Sequence, residues 1–84
     1  GGSIFFGASH YLQVRLQRLH GARVVIDAQQ INFIDYSGVE MLHQEARRLL
    51  QQGRSLTLRR ARPQVVEELM KLEGPQKCPI RFED

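Results

Sequence analysis

Apolar positions along the chain alternate between short strand-like runs and helical stripes. Ile4-Phe5-Phe6 reads as a short strand, broken by Gly7-Ala8-Ser9. Leu12, Leu16 and Leu19 then recur at helical spacing, with Ser9 as a cap and an end near Gly21. Within residues 23–28, Val24-Val25-Ile26 is β-branched and too short for a helix, so it predicts a central strand covered on both faces. Ile31, Phe33 and Ile34 lead into a turn at Asp35. Val39, Leu42, Ala46 and Leu49 form a stripe that predicts a helix from about Tyr36 to Gln52, stopped by Gly53. Leu56 and Leu58 alternate with Ser55, Thr57 and Arg59, the pattern of a strand with one buried face or an edge position. Pro63 suits the first turn of a third helix, with Val66, Leu69 and Met70 on its buried side and Gly74-Pro75 as its end. Ile80 and Phe82 mark a last strand.

The resulting order, β-α-β-α-β-α-β, predicts a single α/β domain with a mixed, mostly parallel sheet and helices packed on it. In such folds the turns at the carboxyl ends of strands are the usual binding positions. Two turns hold that position, Gly7-Ala8-Ser9 and Asp35-Tyr36-Ser37-Gly38. Asp35 suits a helix N-cap, because its carboxylate can accept hydrogen bonds from the free N–H groups of Ser37 and Gly38 and opposes the positive end of the helix dipole. A free anion would be repelled there. The Gly7, Ala8, Ser9 turn has no carboxylate and is the better candidate for anion binding at a helix start.

The chain has 84 residues, 42% hydrophobic and 25% charged, which suits one small folded domain with no room for a large enclosed active site. Gly1-Gly2-Ser3 has no anchoring side chain and reads as a linker remnant, leaving 4–84 as the domain. No apolar run reaches the roughly 20 residues of a membrane helix, so the domain is expected to be soluble. The lone Cys78 cannot form an internal disulfide, which fits a reducing compartment.

Net charge is +3 and the pI about 9.6. The excess sits mainly in Arg47, Arg48, Arg54, Arg59, Arg60 and Arg62. Of these, Arg54, Arg59, Arg60 and Arg62 are the candidate basic interaction surface for an acidic partner, a phosphate group or anionic lipid; the plainer reading is a solvated rim. Nucleic acid is not an expected partner, because no aromatics interleave with these arginines.

Catalytic chemistry finds little support. His10, His20 and His43 stand at no metal-ligand spacing and read as partly exposed surface residues. Ser37 and His43 lie six residues apart on one helix, about 120° around its axis, which defeats a nucleophile and base pair. Asp27 and Asp35 invite comparison with a magnesium-binding receiver site, but the further acidic pair and the lysine are missing. No enzyme, metal or cofactor is expected. Tyr36 and Ser37 carry hydroxyls on an exposed turn, where phosphorylation would add charge beside Asp35.

Val24-Val25-Ile26-Asp27 followed by Ile31-Asn32-Phe33-Ile34-Asp35-Tyr36-Ser37-Gly38-Val39-Glu40 resembles a STAS domain, with its strand and its signature aspartate, two variable residues and glycine. Leu56-Thr57-Leu58 through Pro63 to Leu69 is similar to the family's third strand and following helix. The entry Ile4-Phe5-Phe6-Gly7-Ala8-Ser9-His10-Tyr11-Leu12 resembles the branch of SulP (sulfate permease-like) anion transporters. In the anti-sigma factor antagonist branch, the residue after the signature aspartate is a phosphorylated serine; here it is Tyr36, while Ser37 matches the second, usually unmodified, position.

The resemblance implies a regulatory and protein-interaction domain on the cytoplasmic face of the inner membrane, carried by a bacterial SulP-type sulfate or anion transporter. Its expected partners are the membrane domain of the same transporter, an acidic soluble protein such as acyl carrier protein, and a second copy of itself. The alternative is a stand-alone antagonist-like phosphorylation switch binding an anti-sigma kinase. Family members usually carry a further strand before Ile4 and a helix after the last strand, so the domain is expected to be trimmed at both ends, with an exposed edge that favours dimers or aggregation.

Overall fold

A computed structural model describes residues 3–4, 20–71 and 78–84. The Gly7-Ala8-Ser9 turn, the helix expected from Ser9 to Gly21 with His10, and the Gly74-Pro75 stop lie outside the described residues, apart from His20 and Gly21. The elements are β1 (Ser3–Ile4), β2 (Arg23–Asp27), β3 (Phe33–Ile34), α1 (Tyr36–Gln51), β4 (Ser55–Arg59), α2 (Pro63–Lys71) and β5 (Ile80–Glu83). Among the described residues the strand pairs are parallel: β1 with β3, β2 with β4, and β4 with β5. β1 begins at Ser3, which pairs with Phe33, one residue ahead of the strand start expected at Ile4.

Among the described residues the expected central strand, β2, is paired on one side only, while β4 has a neighbour on both sides, in the order β2-β4-β5. The register explains it. Val24 and Ile26 stand level with Leu56 and Leu58, which stand level with Ile80 and Phe82, so one sheet face is apolar. Val25, Thr57 and Arg81 share the other face, and Val25 remains 41% exposed. The unbroken Val24-Val25-Ile26 run thus hides an ordinary alternation. β4, expected at an edge or with one buried face, instead has Leu56, Thr57 and Leu58 all buried.

The outer face is held by charge. Glu83 pairs with both Arg23 and Arg59, the latter at 3.4 Å, and Arg60 pairs with Asp27. These pairs are solvent-exposed and screened by water, so they add little to stability. Backbone bonds extend the sheet beyond its strands, from Ser55 N–H to the Ala22 carbonyl and from Ala28 N–H to the Arg59 carbonyl.

α1 packs on β4 through Val39, Leu42, Ala46 and Leu49, the stripe read from the sequence. Full burial of a leucine such as Leu42 or Leu49 stabilises the fold by roughly 1.5–3 kcal/mol. The helix ends as expected. Gly53 takes φ +73, and the N–H groups of Gly53 and Arg54 bond back to the carbonyls of Leu50 and Leu49, which satisfies two of the last free acceptors.

α2 begins at Pro63 and packs on β3 and α1. Its seam is Val65 and Leu69, one turn apart; Val66 and Met70, expected on the buried side, are half-buried flanks. The register is one residue off because the short helix offers two overlapping apolar pairs, and only tertiary packing chooses between them.

Candidate functional site

The Asp35 corner is assembled from three elements. Asp35 itself is extended (φ −90, ψ 176), and its Oδ1 accepts a hydrogen bond from Gly38 N–H at 2.8 Å while its carbonyl takes the first helical bond from Val39 N–H at 2.9 Å. Gly38 is the one cap donor to the carboxylate; the expected bond from Ser37 is not formed. β3 leads the chain into the turn, and the start of α2 supports it from the side: Gln64 Nε2 donates to the Asn32 carbonyl at 3.4 Å, and Arg62, just before α2, donates Nε to the Gln29 carbonyl at 3.3 Å.

Tyr36 is the first helical residue and projects outward, 66% exposed, while Ser37 is half-buried and Gly38 buried. Phe33, on the other side of Asp35, is also exposed. Beside the corner runs a groove of about 300 Å³ lined by Tyr36 and Val39 of α1 and by Glu68 and Lys71 of α2. The Lys71 ammonium lies 2.9 Å from Glu68 and 3.8 Å from Glu67, and the Glu68 hydrogen bond raises its pKa above the usual lysine value. The groove therefore carries an aromatic wall and a paired charge wall. It offers contact surface to a partner and no nucleophile with its base.

The four arginines expected to form one basic surface are divided between the two ends of β4. Arg59, Arg60 and Arg62 lie at its carboxyl end, whereas Arg54 precedes its first residue and donates to the Gly21 carbonyl at 2.6 Å and to Gln52 at 2.9 Å. Arg60 adopts φ +56, a left-handed conformation, and its N–H bonds the Glu83 carbonyl at 2.9 Å. Its side chain meets Asp27. The Gln29 N–H, 3.0 Å from Asp27 Oδ1, and then Arg60 hold the Asp27 carboxyl below its ordinary pKa.

His43 departs from expectation. It reads as a surface residue on the helix, yet it is fully buried, with Nε2 2.6 Å from the Leu69 carbonyl. His20 is exposed, as expected. Glu45 is buried as well and binds Arg48 through both carboxylate oxygens. Neither burial could be read from the chain, because α1 is buried around a broad arc against both sheet and α2. Among the described residues no three His, Cys, Asp or Glu side chains gather into a metal site. No helix among them is long and apolar enough to cross a membrane.

The family profile described as "Mlab, STAS domain" matches residues 7–75. The chain belongs to the STAS domain family. In three dimensions this STAS domain is similar to the STAS domain of a SulP transporter from Vibrio cholerae, with a TM-score of 0.64 and 18% identity over 99% of this chain and 67% of that one. At that identity the likeness is one of fold. Among curated proteins none matches the chain in sequence. The matched residues include the corner built by Asp35 and Gly38, with Tyr36 and Ser37 between them.

Proposed function

We propose that this STAS domain is a non-catalytic docking module on the cytoplasmic side of a membrane transport protein, and that its host is a SulP-type anion transporter. The observation that carries the docking reading is the exposed Tyr36 on a corner fixed by the Asp35 cap and by the α2 contacts. A rigid aromatic on a pre-ordered turn loses little entropy on binding and is a common anchor of protein interfaces. The fold likeness to the Vibrio cholerae SulP domain supports the choice of host.

The profile that matches in sequence is described by another name, Mlab, so the host is the part that experiment must decide. Reading the gene upstream decides it: a series of membrane-spanning helices in the same frame supports the SulP host, and a separate short gene overturns it. Partners at the corner are the membrane part of the transporter or a soluble protein such as acyl carrier protein. A second copy of the chain is a further candidate. An anion site at Gly7, Ala8 and Ser9 remains a proposal, tested by NMR titration with sulfate or bicarbonate; unmoved amides there would remove it.

The second reading is a free-standing switch controlled by an anti-sigma kinase, favoured by Ser37 in the signature motif. Tyr36 in the phosphoserine position and the half-burial of Ser37 weigh against it. Mass spectrometry after incubation with a cognate kinase tests it, and modification at Ser37 or Tyr36 would favour it.

A further inference from the structure

The groove beside Tyr36 exists only while α2 lies against α1, and one polar contact between them has an unusual chemistry. His43 is buried, and its Nε2 must carry the proton that it donates to the Leu69 carbonyl at 2.6 Å, in the last turn of α2. The other ring nitrogen, Nδ1, is buried with no hydrogen-bond partner among the described residues. In the neutral ring this is an unused acceptor, a tolerable loss. In the protonated ring it becomes a charged N–H donor facing nothing, at the cost of a buried unpaired charge.

We infer that His43 is an acid-sensitive pin between the two helices, and that its protonation releases α2 from α1 and dismantles the groove bordered by Tyr36 and Lys71. The inference stands on the α1–α2 contact and not on the docking reading.

Among the described residues no charged neighbour relieves the protonated ring. On α1, Arg47 one turn onward repels it, Glu45 is engaged by Arg48, and Glu40 is exposed. On α2, Glu67 and Glu68 are exposed and pair with Lys71. β3 has no titratable side chain, and Arg59, Arg81 and Glu83 of β4 and β5 lie on the sheet face opposite Leu56 and Leu58. Burial therefore lowers the ring's pKa, against the weaker opposing pull of the Leu69 carbonyl. Of the two helices α2 is the one to yield. It has nine residues with Val65 and Leu69 as its buried seam, whereas α1 has sixteen residues and eight buried positions.

The test is amide hydrogen exchange of the 84-residue chain from pH 7.5 to 5, corrected for the intrinsic pH dependence of exchange, with His43→Gln for comparison. The glutamine amide can still donate to Leu69 but cannot titrate. In the wild type, the protection of amides in Val65–Lys71 is expected to fall by about tenfold or more as the pH drops below 6.5, with those of Leu56–Leu58 retained. In His43→Gln the α2 amides are expected to keep their protection. Equal losses in both proteins, or α2 and β4 losing protection together, would overturn the inference. If the variant does not fold, NMR titration of the wild-type ring decides: a His43 pKa below 6.5 supports the pin, and one at or above 6.5 overturns it.

Discussion

The Asp35 carboxylate and the Gly38 N–H meet at 2.8 Å, so Asp35 of this STAS domain spends one oxygen on closing its own helix. A carboxylate so engaged serves the shape of the corner and the field at the helix start. Asp35→Ala is expected to lower unfolding stability by about 1 kcal/mol, and Asp35→Asn or Asp35→Ser to recover most of it. Urea denaturation followed by circular dichroism measures the difference.

Arg60 sits at φ +56, where a side chain costs about 1 kcal/mol that glycine does not. Arg60→Ala keeps the strained backbone and loses the Asp27 pair, while Arg60→Gly loses the pair and relieves the backbone. The glycine variant is therefore expected to be about 1 kcal/mol more stable than the alanine variant. Equal stabilities in a denaturation series would mean that the backbone at this position is relaxed.

Acid should act in two separate pH ranges. Asp27 has its pKa lowered from 3.8, chiefly by the Gln29 N–H and then by Arg60. A depressed carboxyl binds fewer protons folded than unfolded, so its contribution is full above the unfolded pKa and is lost as the pH falls through the folded value, below 3.8. For His43, also depressed, the unfolded state binds the proton more readily, so stability declines as the pH falls through 6.5 and levels off below the folded pKa. Stability curves against pH are expected to show a decline below 6.5 that His43→Gln removes and a further decline below 3.8 that Asp27→Asn reduces.

Much of this could be read along the chain because it is local. The α1 stripe, the Asp35 cap, the Gly53 stop and the Pro63 start each depend on residues within a turn or two of one another. What escaped depends on distant partners. The middle place of β4 is set by strands β2 and β5, which lie far away in sequence on either side of it. A histidine at position 43 looks the same in sequence whether it faces water or the Leu69 carbonyl. Arg60 carries no turn signal, because its left-handed conformation is imposed by the bond from its N–H to Glu83 and favoured by no feature of its side chain. The family corner was legible as a motif, while its groove needed α2 in place.

The most direct measurement is NMR titration of the isotopically labelled domain with the purified membrane part of the proposed SulP-type transporter, repeated with Tyr36→Ala. Docking at the corner is expected to shift the amides of residues 35–39, and Tyr36→Ala is expected to weaken binding by about tenfold, a hot-spot loss of roughly 1.4 kcal/mol, without changing the fold. An absence of binding, or equal affinity with shifts confined to the Arg59 to Arg62 end of β4, would contradict it.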